Sequence, residues 1–90
     1  MSRISISPNV LFKELGEESV LLNLGNDRYY GLDDVGTRMW QLLSAHGDVA
    51  TVVSRLLVEY EGRTDESKLR RDLDELIKKL TEAGLLTVEE

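Results

Sequence analysis

The chain changes its hydrophobic pattern once, near Leu32, and this single change restricts the folds that are open to it. Before Leu32, short apolar runs are separated by turn residues, which is typical of strands. After it, apolar residues recur at the spacing of helices. Because strands precede helices instead of alternating with them, we expect an α+β fold with one sheet face covered. The expected architecture is a three-stranded antiparallel sheet followed by three helices, similar to a winged helix-turn-helix.

Three strands are predicted in the first part of the chain. They cover Val10–Leu15, residues 19–24 and Arg28–Leu32. The turns between them contain Gly16 and residues 25–27, which include glycine and asparagine, and these residue types tolerate the positive φ of tight turns. The strands should therefore form an antiparallel meander.

Capping residues and apolar stripes predict three helices in the second part. They cover about residues 35–45, 49–60 and 65–83. Asp33 or Asp34 can cap the first helix and Asp48 the second, since a carboxylate accepts a free N–H at a helix start. Gly84 suits the end of the third helix, and residues 85–88 should leave it and pack back on the core.

Composition limits the functions that are open to the chain. Its 90 residues allow one domain, predicted over residues 1–90, and carry a formal charge of −6 with no cysteine. The lack of cysteine excludes disulfides and thiolate metal sites and fits a reducing cytoplasm. The first residues lack a secretory apolar run, and no stretch approaches the roughly 18–20 apolar residues of a membrane span. We expect a soluble cytoplasmic protein without a membrane partner.

The sequence shows no catalytic group of residues. His46 is the single histidine, so no histidine cluster can hold a metal, and its place before Gly47 favours a structural role at a helix end. Adjacent Asp33 and Asp34 are explained by capping, and no phosphate-binding glycine loop is present. We therefore expect no enzyme activity and no cofactor.

DNA binding is the alternative that a winged helix-turn-helix arrangement suggests. A nucleic-acid reader needs a basic face. On the third predicted helix the basic residues are interleaved with acidic ones, and the whole chain is acidic. The basic residues are Lys68, Arg70, Arg71, Lys78 and Lys79, and the acidic ones are Glu66, Asp72, Asp74, Glu75 and Glu82. We expect no nucleic-acid partner.

The third predicted strand, Arg28–Leu32, is the candidate binding element. It contains no Pro or Lys to protect a sheet edge, so an extended peptide can add to it. By alternation, Tyr30 and Leu32 share one sheet face, and Tyr29 and Gly31 share the other. The purely structural alternative is that Tyr30 and Leu32 are core residues only and that Tyr29 is a surface residue with no role in binding.

The third predicted helix supplies a second wall if it packs beside this edge. Leu69, Leu73 and Leu76 would then form an apolar floor, with Asp72 on the flank of the stripe. The same leucine stripe also has to contribute to the core, so the two roles overlap.

Residues 29–43, YYGLDDVGTRMWQLL, resemble the PqqD-like family. Its pattern is an aromatic strand, then Leu-Asn/Asp and a small residue, then a helix with an apolar-Trp-x-Leu-Leu run. The family includes protein D of pyrroloquinoline quinone biosynthesis and the recognition elements of ribosomally made, post-translationally modified peptides. The likeness extends over residues 10–88. Within the family, the chain looks most like the discrete recognition proteins of lasso-peptide clusters.

The resemblance implies that the chain binds the leader segment of a precursor peptide. It further implies presentation of the leader to a separate cysteine protease, after which a cyclase closes the ring. The implied peptide-binding residues lie on the third strand and third helix. They are Arg28, Tyr29, Tyr30, Gly31, Leu32, Leu69, Asp72, Leu73 and Leu76. The alternative within the family is a peptide chaperone for a radical enzyme, as protein D is.

Overall fold

The computed structural model describes residues 3–89, so Met1, Ser2 and Glu90 of the predicted domain lie outside the described residues. The elements follow one another as β1 (Arg3–Ile6), β2 (Val10–Leu15), β3 (Glu18–Asn23), β4 (Arg28–Leu32), α1 (Asp34–His46), α2 (Val49–Glu59), α3 (Glu66–Glu82) and β5 (Leu86–Glu89). The predicted α+β class is confirmed, with a three-stranded antiparallel meander followed by three helices.

The meander has the strand order β2-β3-β4, and its register follows from two short connections. Leu15 faces Glu18 across a two-residue turn that begins with Gly16, at a φ of 71°. Asn23 faces Arg28 across the second connection, in which Asp27 has a φ of 59°. Glycine and aspartate are among the residues that adopt this left-handed conformation most readily.

A second sheet, of two strands, joins the two ends of the described chain. β1 pairs antiparallel with β5, with Arg3 opposite Glu89 and Ile6 opposite Leu86. Neither of these strands was predicted from the sequence. Each strand is only four residues long, and each finds its strand partner at the opposite end of the chain, so neither carries a strong local signal.

Aspartate side chains begin all three helices, as the sequence predicts for the first two. The N–H of Gly36 donates to the Asp33 carboxylate at 2.7 Å, which identifies Asp33 rather than Asp34 as the cap of α1. Asp48 caps α2, and Asp65 caps α3 by accepting from the N–H of Lys68 at 2.7 Å. These bonds satisfy backbone donors that a helix start leaves without partners.

The core lies between the inner face of the meander and the three helices. Its buried apolar residues come from every helix and from both sheets: Ile4, Leu21, Leu32, Met39, Trp40, Leu42, Leu43, Val52, Val53, Leu56, Leu69, Leu73, Ile77, Leu80, Leu85 and Leu86. The burial of Leu85 and Leu86 confirms that the segment after α3 packs back on the core. A buried hydroxyl pair, Ser19 and Thr37 at 2.7 Å, ties β3 to α1.

Among residues 3–89, no helix combines the length and apolar character needed to cross a bilayer.

Candidate functional site

β4 is an edge strand of the meander. Among the described residues it pairs with β3 on one side, and no strand pairs with it on the other. Its sequence, RYYGL, contains neither of the residues, Pro and Lys, that commonly protect an edge. The backbone groups on the outer side of β4 are thus available to an added strand.

The hydrogen-bonding register of the meander shows which backbone groups these are. Along an antiparallel strand, successive residues direct both their N–H and C=O to one neighbour and then to the other. Leu24, which follows β3, donates its N–H to the carbonyl of Asn9 on the β2 side at 2.8 Å. Leu24 and every second residue before it along β3 therefore direct their backbone groups to β2. The residues between them, beginning with Asn23, direct theirs to β4.

The β4 partners of those intervening residues are Arg28, Tyr30 and Leu32. The backbone groups of Tyr30 and Leu32 are consequently used within the sheet, whereas the N–H of Arg28 donates to the Asn26 side chain at 3.0 Å. Tyr29 and Gly31 direct their N–H and C=O groups to the open edge. Of the β4 residues predicted to bind a peptide, only Tyr29 and Gly31 have both main-chain groups directed to the open edge, where a peptide strand can pair with them.

The side chains of β4 alternate as the sequence predicts. Leu32 is buried and Tyr30 half-buried on the inner face, whereas Gly31 and Tyr29 lie on the outer face, where Tyr29 is 75% exposed. Arg28, at the start of the strand, is exposed. The inner face of β4 anchors the edge, and the outer face leaves it accessible.

A groove of about 340 Å³ lies beside the inner side of β4 and separates it from α3. Its apolar surface comes from Tyr30, from Val35 and Met39 of α1, and from Leu76 of α3. Charged groups surround this surface: three carboxylates and two ammonium groups, belonging to Asp33, Asp72, Glu75, Lys68 and Lys79. The lining is therefore mixed, and its charged groups are placed where they can orient a ligand that also contacts the apolar surface.

Two of the four predicted α3 residues line the groove, and two do not. Asp72 and Leu76 contribute to its surface. Leu69 and Leu73 are only 3% and 0% exposed and belong to the core. The leucine stripe of a helix points at the centre of the core, and a groove at its side is lined by the flank of that stripe. Leu69 and Leu73 therefore pack in the core behind the α3 side of the groove.

Three charged α3 residues of the groove were missed from the sequence. Lys68, Glu75 and Lys79 share one flank with Asp72 and Leu76, because positions four, seven, eight and eleven after Lys68 fall on one side of a helix. That spacing was a usable signal. In the sequence, the interleaved charges of this helix were considered only as evidence against a basic, DNA-binding face.

The rim charges are partly paired. Lys68 Nζ lies 3.8 Å from Asp72 Oδ2, and both side chains are about half exposed. Exposed helix pairs at this spacing stabilise by only about 0.3–0.5 kcal/mol. A bound peptide can therefore exchange this pairing for contacts of its own at little cost.

A separate polar network lies on the other side of α1. Arg38 donates through Nε and Nη2 to the Glu59 carboxylate, at 2.7 and 2.8 Å, and joins α1 to α2. Arg38 also donates to Gln41, whose amide reaches Glu14 of β2 at 3.2 Å. The hydrogen bond from Arg38 lowers the pKa of Glu59, while partial burial opposes this shift. The network holds the hairpin, α1 and α2 together and leaves the groove free.

The face of the meander that points away from the helices is open and carries several apolar residues, with Lys13 between Leu11 and Leu15 on β2. In the register, Leu11, Leu22 and Tyr29 form one row across the three strands, and Leu15 lies further along β2. Leu11 is 52% exposed and Leu15 is 55% exposed. We call the surface of these four residues the outer sheet face. Clustered exposed apolar residues mark interaction surfaces more often than isolated ones do.

The fold and the groove define a class of small α+β domain in which an open strand edge faces a helix. The family model described as coenzyme PQQ synthesis protein D (PqqD) matches residues 18–86. The chain belongs to the PqqD family, which confirms the family resemblance.

A solved structure gives a close comparison. The protein is 34% identical to the chain described as TbiB1 in complex with the TbiA(beta) leader peptide, with a TM-score of 0.83. The match covers 91% of this chain and 93% of that chain. The comparison with curated proteins gives no match.

Proposed function

We propose that this protein binds the leader segment of a ribosomally made precursor peptide. The observation that carries the proposal is the open β4 edge beside a groove of mixed apolar and charged lining. The similarity to TbiB1, a protein described in complex with a leader peptide, supports the same conclusion. Membership of the PqqD family supports a recognition domain of this kind.

In this proposal the leader adds to β4 as a strand. Its backbone bonds to the main-chain groups of Tyr29 and Gly31, and alternate side chains enter the groove toward Leu76 and Asp72. Main-chain bonds are independent of side-chain identity, so selectivity comes from the groove. Arg28 can contribute a charge at one end of the strand.

The test is a titration with fluorescein-labelled synthetic leaders, read by fluorescence anisotropy. The probes are the TbiA(beta) leader and the leader of any short precursor encoded beside this gene. A shuffled peptide of equal composition is the control. We expect saturable binding of the leader encoded nearby and none of the shuffled peptide. If no such leader binds, or if both peptides bind alike, the proposal is overturned.

We further propose that the bound leader is presented to a separate cysteine protease, with a cyclase acting afterwards. The outer sheet face supports this part, because an exposed apolar surface on the far side of the groove's sheet can contact an enzyme while the peptide stays in place. The chain itself then needs no catalytic residue. Since precursor peptides are made on ribosomes, we place this function in the cytoplasm.

The variant that tests presentation is Leu11→Ser with Leu15→Ser, which removes apolar groups from the outer sheet face. The matched control is Val58→Ser with Val88→Ser, two other exposed apolar residues on different elements. We expect the first variant to bind leader normally and to lose stimulation of leader cleavage by the protease, whereas the control keeps both. Equal cleavage with both variants would contradict a role for this face.

The family match favours a second candidate, because the family description refers to coenzyme synthesis. This candidate is a peptide chaperone that serves a radical enzyme. Both candidates use the same groove. Co-purification with a radical enzyme, and not with a cysteine protease, would select the second.

A further inference from the structure

We propose that Asn23 is a positioning residue that sets the spacing between the two walls of the peptide groove. This inference rests on the proposed function, since the spacing matters only if a peptide has to contact β4 and α3 at once. Asn23 lies outside the groove lining, at the end of β3, and it has not been assigned a role by the sequence pattern or by the groove itself.

The side chain of Asn23 bonds at both ends of its amide. Nδ2 donates to the carbonyl of Ala83, the C-cap of α3, at 3.0 Å. Oδ1 accepts from the N–H of Gly25, in the turn that leads to β4, at 2.8 Å. Its backbone carbonyl also accepts from the N–H of Asp27 at 2.7 Å. One residue thus holds the turn before β4 and the end of α3 together.

The two walls otherwise rest on different neighbours. β4 packs on β3 and α1, whereas α3 packs chiefly on α2 and β5. Asn23 faces Arg28, the first residue of β4, so its bond to Ala83 fixes the end of the groove at which β4 starts and α3 stops. At the other end, Val35 and Met39 of α1 lie between the walls.

The surroundings of the amide leave it little freedom. It is 8% exposed, and a Cβ on Gly25 would lie 3.1 Å from Oδ1. A Cβ on Gly84, which has a φ of +73°, would lie 3.1 Å from Nδ2. Glycines on both sides allow the close approach, and the position requires a short side chain that can both donate and accept.

Asn23→Asp is the sharpest test, because aspartate has the same shape. The substitution keeps an acceptor for Gly25 but places a carboxylate oxygen against the Ala83 carbonyl, where a donor is needed. Asn26→Asp is the matched control: it adds the same charge in the same turn, where Asn26 only accepts from the N–H of Arg28, at 3.0 Å. Both proteins are measured under conditions where circular dichroism shows them to be fully folded.

We expect Asn23→Asp to weaken binding of the labelled leader that the wild type binds by about tenfold, the equivalent of one lost hydrogen bond and a loosened site. Asn26→Asp should change the affinity less than about twofold. If the wild type binds and Asn23→Asp binds equally well, the positioning role is overturned while the proposed function stands.

A second measurement needs no peptide. The chain lacks cysteine, so spin labels can be attached to Tyr29→Cys on β4 and Lys78→Cys on α3. We expect the distance distribution between the labels to widen when Asn23→Asp is added and to stay narrow with Asn26→Asp. A loss of affinity with an unchanged distribution would show that Asn23 acts on binding in some other way, which also overturns the inference.

Discussion

Leu73 and Leu76 are three positions apart on α3, and they have different surroundings. Leu73 is fully buried, whereas Leu76 is half-buried and lines the groove. Neighbouring leucines of one apolar stripe can thus serve packing or recognition, depending on how far each lies from the centre of the stripe.

Truncation separates the two roles. Leu73→Ala should lower the free energy of unfolding by about 2–5 kcal/mol, because it leaves a cavity in the core. Leu76→Ala should lower it by about 1 kcal/mol or less and weaken leader binding, since a half-exposed side chain loses less burial on truncation. Urea unfolding and peptide titration give the two quantities. An unfolding free energy that falls equally in both variants would contradict this division.

The ion pair of Arg38 and Glu59 makes stability depend on pH. The hydrogen bond from Arg38 lowers the pKa of Glu59 in the folded protein, so the pair stabilises above the ordinary glutamate pKa. This stabilisation is lost as the pH falls through the lowered pKa, because the protonated carboxyl no longer attracts the guanidinium.

Glu59→Gln should therefore cost about 0.5 kcal/mol at neutral pH, a value kept small because both side chains are more than a third exposed. The difference from the wild type should disappear below the lowered pKa of Glu59. Urea unfolding at both pH values measures it, with Glu61→Gln, an exposed carboxylate just beyond α2, as the control. A difference that persists in acid would show that the pair is not its cause.

At the scale of elements, β4 combines an anchored inner face with an open edge. Its inner side chains pack on the core, and its outward main-chain groups at Tyr29 and Gly31 lie in the sheet plane. Because the two functions use different atoms, the edge can be altered without removing the anchor.

Gly31→Pro removes one outward N–H and should weaken leader binding by about tenfold or more. Gly31→Ala is the control, because a Cβ at this position meets nothing within 4 Å and the residue does not have a positive φ. Alanine should bind leader with nearly the affinity of the wild type. Circular dichroism checks that the proline variant stays folded, and normal binding by a folded proline variant would contradict strand addition at this edge.

Elements with a local signal were predictable from the sequence, and elements formed by distant contacts were not. The meander has turn residues at its corners, and the helices have caps and apolar stripes, so their bounds were predicted within a few residues. β1 and β5 depend on each other across the chain. For the site, the sequence identified the edge and one wall, but periodicity gives the direction of a side chain and not its depth. Leu69 and Leu73 were therefore placed in a groove that they only support.

At the scale of the whole molecule, a leader that binds only the folded state must stabilise it. At about one hundred times its dissociation constant, the leader should add about 2.7 kcal/mol to the free energy of unfolding. For a chain of this size, Tm should rise on the order of 10 °C. Thermal unfolding followed by circular dichroism tests this, and the shift should be smaller for Gly31→Pro. A leader that binds tightly without raising Tm would contradict binding to the native groove.

The overall charge of −6 applies to the molecule as a whole and bears on the DNA-binding alternative. An acidic chain repels phosphates most strongly when salt is low. A gel-shift experiment with duplex DNA at low salt should therefore show no complex. Retardation of the DNA would support a regulator with a winged helix.

The pairing of β1 with β5 has a consequence for how the chain matures during translation. A ribosome makes the N-terminal residues first, yet β1 receives its strand partner only after residue 89 has left the exit tunnel. Until then Ile4 can dock through its N–H on the Gly47 carbonyl at the end of α1, a bond of 2.8 Å in the finished fold. β1 is therefore synthesised well before the strand that pairs with it. The two-stranded sheet can close only after β5 has emerged.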